Sequence, residues 1–285
     1  MAESVWPNVA RSAAFFSFDL DGESWLLWGD ERNAERPVTI SQAQYGPRVG
    51  VFEILRLLRR YEVPATFFIP SWIAEHYPRA LEAVLDGGHE VALHGHLHEH
   101  AETMKPEEEE EVLAKSIEIL TRLTGKKPIG HRPPGGEASP ITIPLLGRYG
   151  IRYSSGYMDD VFPYFHEDTD VLELPFQWVC DDWWYSMVAP YALPTPDVHE
   201  MVPNADIVSL WTSMLDGVSG MGGLFVLVCH PQVTGRPHRL ATLEAILQAA
   251  RNAGDIWIAK GEQIDPYWRQ ANSVRPDPRL LAQEP

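Results

Sequence analysis

The chain has 285 residues, 45% hydrophobic and 22% charged, which is enough to bury a large core in one α/β domain or two small ones. Its formal net charge of −17 argues against nucleic acid or an anionic membrane as the main partner, because both attract basic surfaces. The N-terminus lacks the basic start and apolar stretch of a signal peptide, and no apolar run is long enough to span a bilayer, so we expect a cytoplasmic protein.

The first predicted strand, residues 13–18, is a short aromatic run that ends in Asp19-Leu-Asp21. Alternation along a strand points Asp19 and Asp21 in the same direction, toward whatever lies above the strand. A plain turn is the alternative, because acidic residues followed by glycine are common turn formers. Residues 24–48 have no regular pattern, and we expect an irregular, tryptophan-containing insertion that walls a site.

Helical periodicity and short apolar runs alternate along the rest of the chain. The predicted helices cover 50–61, 71–85, 106–125, 141–149, 207–215 and 240–252. The predicted strands cover 65–69, 90–93, 151–155, 171–174, 223–229 and 256–259, with one more ending near 132. This alternation, without linker or repeat, predicts a single α/β domain over 1–285 with a parallel sheet or barrel. The Pro-rich tail from about 265 is expected to form an arm.

A histidine cluster, His94-Gly-His96-Leu-His98-Glu-His100, directly follows predicted strand 90–93. If the turn after the strand is helical or tight, His94 and His98 lie on one face and converge on one metal ion. A solvated polar loop is the alternative for this spacing taken alone. Any of His96, His100 and His131 could replace one of these ligands, but their spacing fits less well and we expect them to be supporting or surface groups.

Reactive side chains follow several of the predicted strands, and the carboxyl ends of parallel strands share one edge of the sheet. They are Asp19, Asp21, His94, His98, Arg132 and His230. Asp21 and the two histidines suit one divalent ion, most simply zinc, with open positions for a water and a substrate carbonyl. Asp19 is placed to act as the base and His230 as the acid. Arg132 either holds Asp19 ionised or binds a substrate anion.

Five stretches resemble, in order, the motifs of the polysaccharide deacetylase family, also called the NodB homology or carbohydrate esterase 4 family. They are Ser17-Phe-Asp19-Leu-Asp21-Gly22, His94-Gly-x-x-His98, Arg132-Pro-Pro-Gly135, Asp181-Asp-Trp183 and Leu227-x-x-His230. The resemblance spans residues 13 to about 260. It implies a distorted (β/α) barrel of about seven strands and metal-dependent hydrolysis of an acyl–nitrogen bond. It also implies site roles: Asp19 as base, Asp21, His94 and His98 as metal ligands, Arg132 as the residue that orients the base, and His230 as acid.

Two departures from the motifs concern the substrate. The adjacent Asp-Asp of the first motif is Asp19-Leu-Asp21 here, and Gly95 replaces a Ser or Thr. Both changes resemble the branch that contains intracellular deacetylase-like proteins, cyclic imide hydrolases and cofactor-independent allantoinases. That branch favours tetramers, and the aromatic Tyr267 and Trp268 on the predicted arm also suggest a homo-oligomer.

We therefore expect a small cytoplasmic amide or cyclic imide as substrate, because two aromatic loops, 24–48 and 156–200, narrow the barrel mouth. The expected substrate contacts are Gly135, Trp178, Asp182 and Trp183. An N-deacetylase of peptidoglycan or another N-acetylated polysaccharide is the first alternative. A non-catalytic metal- or sugar-binding protein is the second, although it has no need of a base and an acid beside the metal set.

Overall fold

The computed structural model describes residues 5–186 and 202–272. Within these two ranges, nine strands form one curled sheet in the order β6-β7-β5-β4-β3-β2-β1-β8, and β9 also pairs with β1. The strands are β1 Ser12–Asp19, β2 Thr66–Ile69, β3 Glu90–Leu93, β4 Gly130–His131, β5 Tyr153–Ser154, β6 Tyr164–Phe165, β7 Leu172–Glu173, β8 Leu224–Cys229 and β9 Ile256–Ile258. All the pairings are parallel except that of β6 with β7. The predicted distorted barrel is confirmed.

Helices cover the outer face of the sheet and fill its connections. They are α1 Ser24–Gly29, α2 Pro37–Tyr45, α3 Val51–Tyr61, α4 Ser71–His76, α5 Pro78–Asp86, α6 Pro106–Thr124, α7 Thr142–Arg148, α8 Asn204–Met221, α9 Leu240–Ala253 and α10 Gly261–Asn272. The single helix predicted over 71–85 is two helices, because Pro78 has no N–H to continue α4 and instead starts α5. No helix among the described residues is long and apolar enough to cross a bilayer.

The core has two layers, one on each face of the sheet. Phe16 and Phe18 of β1 belong to the layer under the helices, and Phe15 belongs to the layer inside the barrel. Every residue of β1 is buried, so the strand carries no alternation of polar and apolar positions. Burial on both faces fixes the end of β1 firmly, and that end carries Asp19.

Two predictions about the connecting segments are wrong. Residues 24–48 are not irregular, because α1, α2 and a short 3-10 helix occupy most of them. Residues 261–272 form α10 rather than a free arm, and Trp268 is 3% exposed with its ring 5.2 Å from that of Trp6. The aromatic argument for a homo-oligomer therefore fails, and oligomerisation stays a prediction. Residues 273–285 lie outside the described part of the chain.

Candidate active site

The strand ends bring the predicted site residues to one edge of the sheet. Asp19 is the last residue of β1, and His94, Arg132 and His230 directly follow β3, β4 and β8. All of them are at least nine-tenths buried. They line a common cavity of about 960 Å³ together with Asp21 and His98.

Arg132 holds Asp19 in a fixed position at the floor of this cavity. Its Nη1 donates to Asp19 Oδ1 at 2.7 Å and to Ser17 Oγ at 2.9 Å. Nη2 and Nε donate to the hydroxyl and carbonyl of Ser155, and the guanidinium lies 4.2 Å from the centre of the Phe68 ring. These contacts match the first of the two roles considered for Arg132, which is to orient the carboxylate of Asp19.

His94 and His98 converge through a tight loop rather than through a helix. Gly95 has φ 71° and His98 has φ 66°, so two residues of the loop adopt left-handed conformations. The two rings stand edge to face with centroids 4.9 Å apart. Glycine adopts this conformation without strain, but it is uncommon for histidine, so the surrounding structure has to hold His98 in place.

The predicted ligands Asp21, His94 and His98 fit a divalent cation. Their ligand atoms all lie within 4.8 Å of one another. His94 Nδ1 donates to the carbonyl of Arg132 at 2.9 Å, which leaves the lone pair of Nε2 directed at the site. Asp21 Oδ1 is buried and has no hydrogen-bond partner among the described residues. An unpaired buried carboxylate oxygen is costly, and a bound cation would remove that cost.

The pKa values of two members of the set, Asp21 and His98, suit metal ligation, whereas the charges of Asp19 and Asp21 outweigh burial and raise the pKa of His94. Burial alone would raise the pKa of Asp21, but the charge of His98 and the nearby His94 nitrogen outweigh it and lower the pKa to about 2. Burial lowers the pKa of His98 to about 3. At neutral pH, Asp21 is therefore ionised and His98 is neutral, and these are the protonation states that a metal requires.

His230 faces the same space from β8 and is oriented by Asp182. Its Nδ1 donates to Asp182 Oδ1 at 2.7 Å, its backbone N–H donates to both oxygens at 3.0 Å, and the Thr234 hydroxyl donates to Oδ2. Burial alone would lower the pKa of His230, but Asp182 outweighs it and raises the pKa well above its usual value. The His230 Nε2 lies 4.0 Å from Asp19 Oδ2 and 3.7 Å from Asp21 Oδ2.

The expected substrate contact of Asp182 stays a prediction, although its carboxylate binds His230 and Asp182 is not among the residues that line the cavity. Asp181, which is not among the predicted site residues, lines the cavity instead. It is 5% exposed, lies 3.8 Å from His230 Nδ1, and burial raises its pKa to about 7. The only signal was the doubled Asp181-Asp182, and the spacing alone could not tell which of the two faces the cavity.

Tryptophans form much of the cavity wall. The cavity is lined by Trp25 and Trp28 of α1, by Trp178, Trp183 and Trp184, and by Gly135 and Gly136. Three of the four predicted substrate contacts, Gly135, Trp178 and Trp183, therefore face this space. Trp25 and Trp183 meet edge to face at 5.1 Å across it. Residues 187–200 of the second predicted wall loop lie outside the described part of the chain.

The three other histidines near the predicted site, His96, His100 and His131, occupy different positions. His100 lines the cavity and stacks on Trp28 with centroids 4.4 Å apart. His96 hydrogen-bonds with Ser71 Oγ at 2.8 Å. His131 is buried, and burial lowers its pKa to about 3. Neither His96 nor His131 lines this cavity.

Comparison with known proteins agrees with this fold. The polysaccharide deacetylase profile matches residues 35–154. The crystal structure of a putative polysaccharide deacetylase from Mycobacterium smegmatis is 34% identical, with a TM-score of 0.87 over 95% of this chain and 96% of that one. A probable polysaccharide deacetylase structure from Pseudomonas aeruginosa PAO1 is 25% identical, with a TM-score of 0.81 over 95% of this chain and 96% of that one.

Among curated proteins, the peptidoglycan deacetylase of Helicobacter pylori is 29% identical, covering 90% of this chain and 96% of its own length. Sequence and fold similarity thus extend over most of the chain. The chain belongs to the polysaccharide deacetylase family, as a hydrolase that acts on carbon–nitrogen bonds other than peptide bonds.

Proposed function

We propose that this hydrolase is metal-dependent and acts on a small amide, cyclic imide or ureide of the cytoplasm. The observation that carries the proposal is a cavity of about 960 Å³, in which a carboxylate base, a cation-binding set and an imidazole acid face one another between tryptophan walls. Small-ligand sites have volumes of roughly 300–1,000 Å³ and are mostly apolar with a few placed polar groups. The volume of the cavity lies within this range, and its lining combines tryptophan rings with charged and polar side chains.

Asp21, His94 and His98 would hold the ion, most simply zinc. A bound zinc ion would lower the pKa of the water that it binds and would polarise the carbonyl oxygen of a substrate. The chain supplies the remaining groups around that position. Two histidines and one carboxylate leave coordination positions open, as catalytic rather than structural zinc sites do.

Asp19 acts as the general base in this proposal. Its Oδ1 is bound by Arg132, so Oδ2 is the oxygen left to accept a proton in the cavity. Oδ2 lies 3.9 Å from His94 Nε2 and 4.0 Å from His230 Nε2, between the metal set and the acid. The Arg132 contact keeps the carboxylate oriented before the proton is accepted.

His230 donates a proton to the leaving nitrogen. Asp182 accepts from Nδ1, which leaves Nε2 as the atom that points into the cavity and carries the transferable proton. The raised pKa of His230 favours its protonated form, which is the form an acid needs at the start of the reaction.

The tryptophan walls favour a flat substrate. Trp183 lies 5.3 Å from the His230 ring, and Trp178 stands further out. Planar imide and hydantoin rings can pack against such faces while their polar edges reach the metal set. In this arrangement Trp178 and Trp183 contact the substrate, and the backbone of Gly135 lies near its edge.

N-deacetylation of peptidoglycan or a related polymer is the second candidate, because the similar Helicobacter pylori protein carries the name peptidoglycan deacetylase. Exposed tryptophans also serve as platforms for sugar rings, and Trp178 and Trp184 are 39% and 44% exposed. This candidate requires the cavity to continue into a groove for several sugar units.

The decisive experiment compares substrates side by side on the zinc-loaded protein. Succinimide-like imides, hydantoins, allantoin and N-acetylglucosamine oligomers are assayed at matched concentrations, with metal content measured on the same preparation. We expect turnover of a small cyclic or linear amide and about one metal ion per chain. A clear preference for the oligomers would favour the deacetylase candidate, and a protein with metal but no turnover of any substrate would favour a binding role.

A further inference from the structure

Gln232 is a buried amide in direct contact with the candidate metal set. It lies in the turn after β8, two residues beyond His230, and is 0% exposed. Its Nε2 donates to Asp21 Oδ2 at 3.2 Å. The other oxygen of Asp21, Oδ1, lies 3.4 Å from His94 Nε2 and 3.9 Å from His98 Nε2.

We propose that Gln232 is a positioning residue that turns Asp21 toward the metal ligands, an inference that rests on the proposed function. The amide binds Oδ2 and thereby directs Oδ1 at the two histidines. The terminal torsion of an aspartate is broad, so a carboxylate without such a contact can rotate between the two orientations. Groups that fix the orientation of a metal ligand commonly change metal affinity by about 10–100-fold when removed.

The orientation of Asp21 also matters because the proposed acid, His230, lies close to its carboxylate. His230 Nε2 lies 3.7 Å from Asp21 Oδ2, so the acid is close to the same oxygen that Gln232 binds. A carboxylate released by the amide can turn toward the imidazole and away from the ligand histidines. Gln232 therefore keeps the ligand and the acid separate, and as a neutral donor it adds no charge to the site.

The amide of Gln232 is itself held against bare backbone. A Cβ atom on Gly46 would lie 3.0 Å from Gln232 Oε1, and one on Gly50 would lie 2.0 Å from the carbonyl oxygen of Pro231. The π-helical turn Gly46–Gly50 between α2 and α3 thus contacts the loop after β8 without intervening side chains. Larger residues at either glycine would push this loop, and Gln232 with it, away from Asp21.

Tyr45 and Arg236 stabilise the contact between the turn Gly46–Gly50 and the loop after β8. The Tyr45 hydroxyl donates to the carbonyl of Gly235 at 3.1 Å. Arg236 Nε donates to the carbonyl of Gln232 at 3.1 Å, its Nη2 donates to the carbonyl of Gln42 at 3.0 Å, and its guanidinium lies 4.0 Å from the Tyr45 ring centre. The backbone of Gln232 is therefore fixed independently of its side chain, as a positioning role requires.

The test is a zinc titration of Gln232→Met, which keeps the length and approximate volume of the side chain but removes the donor. Zinc affinity is measured on the protein alone by competition with a chromophoric chelator. We expect the dissociation constant to rise about 10–100-fold, with turnover restored at saturating zinc. The matched control is Gln44→Met, because Gln44 Nε2 donates at 3.1 Å to Glu23, a carboxylate that also accepts from Tyr77 at 2.6 Å. The control should bind zinc like the wild type.

Each outcome separates this inference from the proposed function. An unchanged zinc dissociation constant in folded Gln232→Met overturns the positioning role. The proposed function still stands in that case if the wild type binds zinc and turns over substrate. A wild type that binds no divalent ion overturns both. Turnover that stays low at saturating zinc shows that Gln232 acts in the reaction itself, which also overturns the positioning role.

Tyr45→Phe is the second variant in case Gln232→Met does not fold. It removes the hydroxyl that fixes Gly235 and leaves Gln232 and the aromatic packing in place. We expect a rise in the zinc dissociation constant in the same direction but smaller, again with turnover recovered by added zinc. An unchanged zinc dissociation constant in Tyr45→Phe would show that the contact of Tyr45 with the loop after β8 does not help to position Asp21, and it would overturn this part of the inference.

Discussion

The two ends of the barrel both bury carboxylates but treat them differently. At the amino end, Glu90 accepts from Thr66 at 2.7 Å, from Tyr153 at 3.0 Å and from the backbone of Glu262 at 2.9 Å. Asp265 contacts two arginines, Arg152 and Arg269, each at 2.6 Å. At the carboxyl end, Asp21 Oδ1 has no hydrogen-bond partner in the described ranges.

This difference separates a structural network from a functional one. A fully satisfied buried network makes the fold more specific, whereas an unpaired buried oxygen costs free energy and needs a reason. The amino end is closed by α10 and the rings of Trp6 and Trp268, and the carboxyl end contains the cavity. Substitutions at the carboxyl end should therefore change metal binding or turnover, and those at the amino end should change stability.

The largest expected effect comes from His98→Ala. This change removes one of the three proposed ligands, so the protein should lose its bound metal and its activity together. Metal content by elemental analysis and turnover on the best substrate of the panel measure both losses. Full metal occupancy in His98→Ala would show that the ion lies elsewhere. The carboxyl end of the barrel would then not differ from the amino end in the way proposed.

Asp19→Asn should keep the metal and lose turnover. Removal of a general base commonly costs about 10²–10⁴-fold in rate, and Asn still fits beside Arg132 in shape. Metal content should stay near that of the wild type because Asp19 is outside the proposed ligand set. Loss of metal instead would make Asp19 a ligand and reverse the roles assigned to the two aspartates.

The strand ends could be predicted well from the sequence, because apolar runs and turn-forming residues involve only neighbouring positions in the chain. His94 and His230 follow strands whose apolar runs are clear in the sequence, and Asp19 ends another such strand. The structure brings these three together with Arg132, which follows the two-residue strand β4. The segment 24–48 was missed because its helices are short and α2 buries only Ala43, so no apolar stripe marks it.

Other features depend on contacts between distant segments, which a sequence pattern does not contain. Asp182 binds His230, 48 residues further along the chain, so the doubled aspartate alone could not show which member faces the cavity. The tail was assigned to an arm on account of its prolines. Burial of Ile264 and Trp268 instead stabilises α10 despite Pro266 within it.

His230→Ala should have a smaller and substrate-dependent effect. It removes the proposed acid but leaves Asp21, His94 and His98 in place, so metal content should not fall. The loss in turnover should shrink for substrates with good leaving groups, because these need less protonation of the departing nitrogen. A series of substrates graded by leaving-group pKa measures this dependence, and an equal loss across the series would remove His230 from the acid role.

The smallest effect on activity is expected at the amino end, from Glu90→Gln. Burial raises the pKa of Glu90 from its ordinary 4.5 to about 7, with the nearby Glu262 adding to the rise. Between these values the folded protein binds a proton that the unfolded chain has lost, so this group's contribution to stability is complete below about pH 4.5 and is lost as the pH rises through about 7.

Glutamine cannot ionise, so Glu90→Gln should not lose stability in this way as the pH rises. The free energy of unfolding of Glu90→Gln relative to wild type should therefore rise between pH 5 and pH 8, by as much as about 3 kcal/mol from the conversion of pKa shifts into free energy. Urea unfolding across this range measures the difference, and metal content and turnover at one pH serve as the control. A constant difference would show that Glu90 does not titrate in this window, and a fall in turnover would show that the two ends of the barrel are not separate.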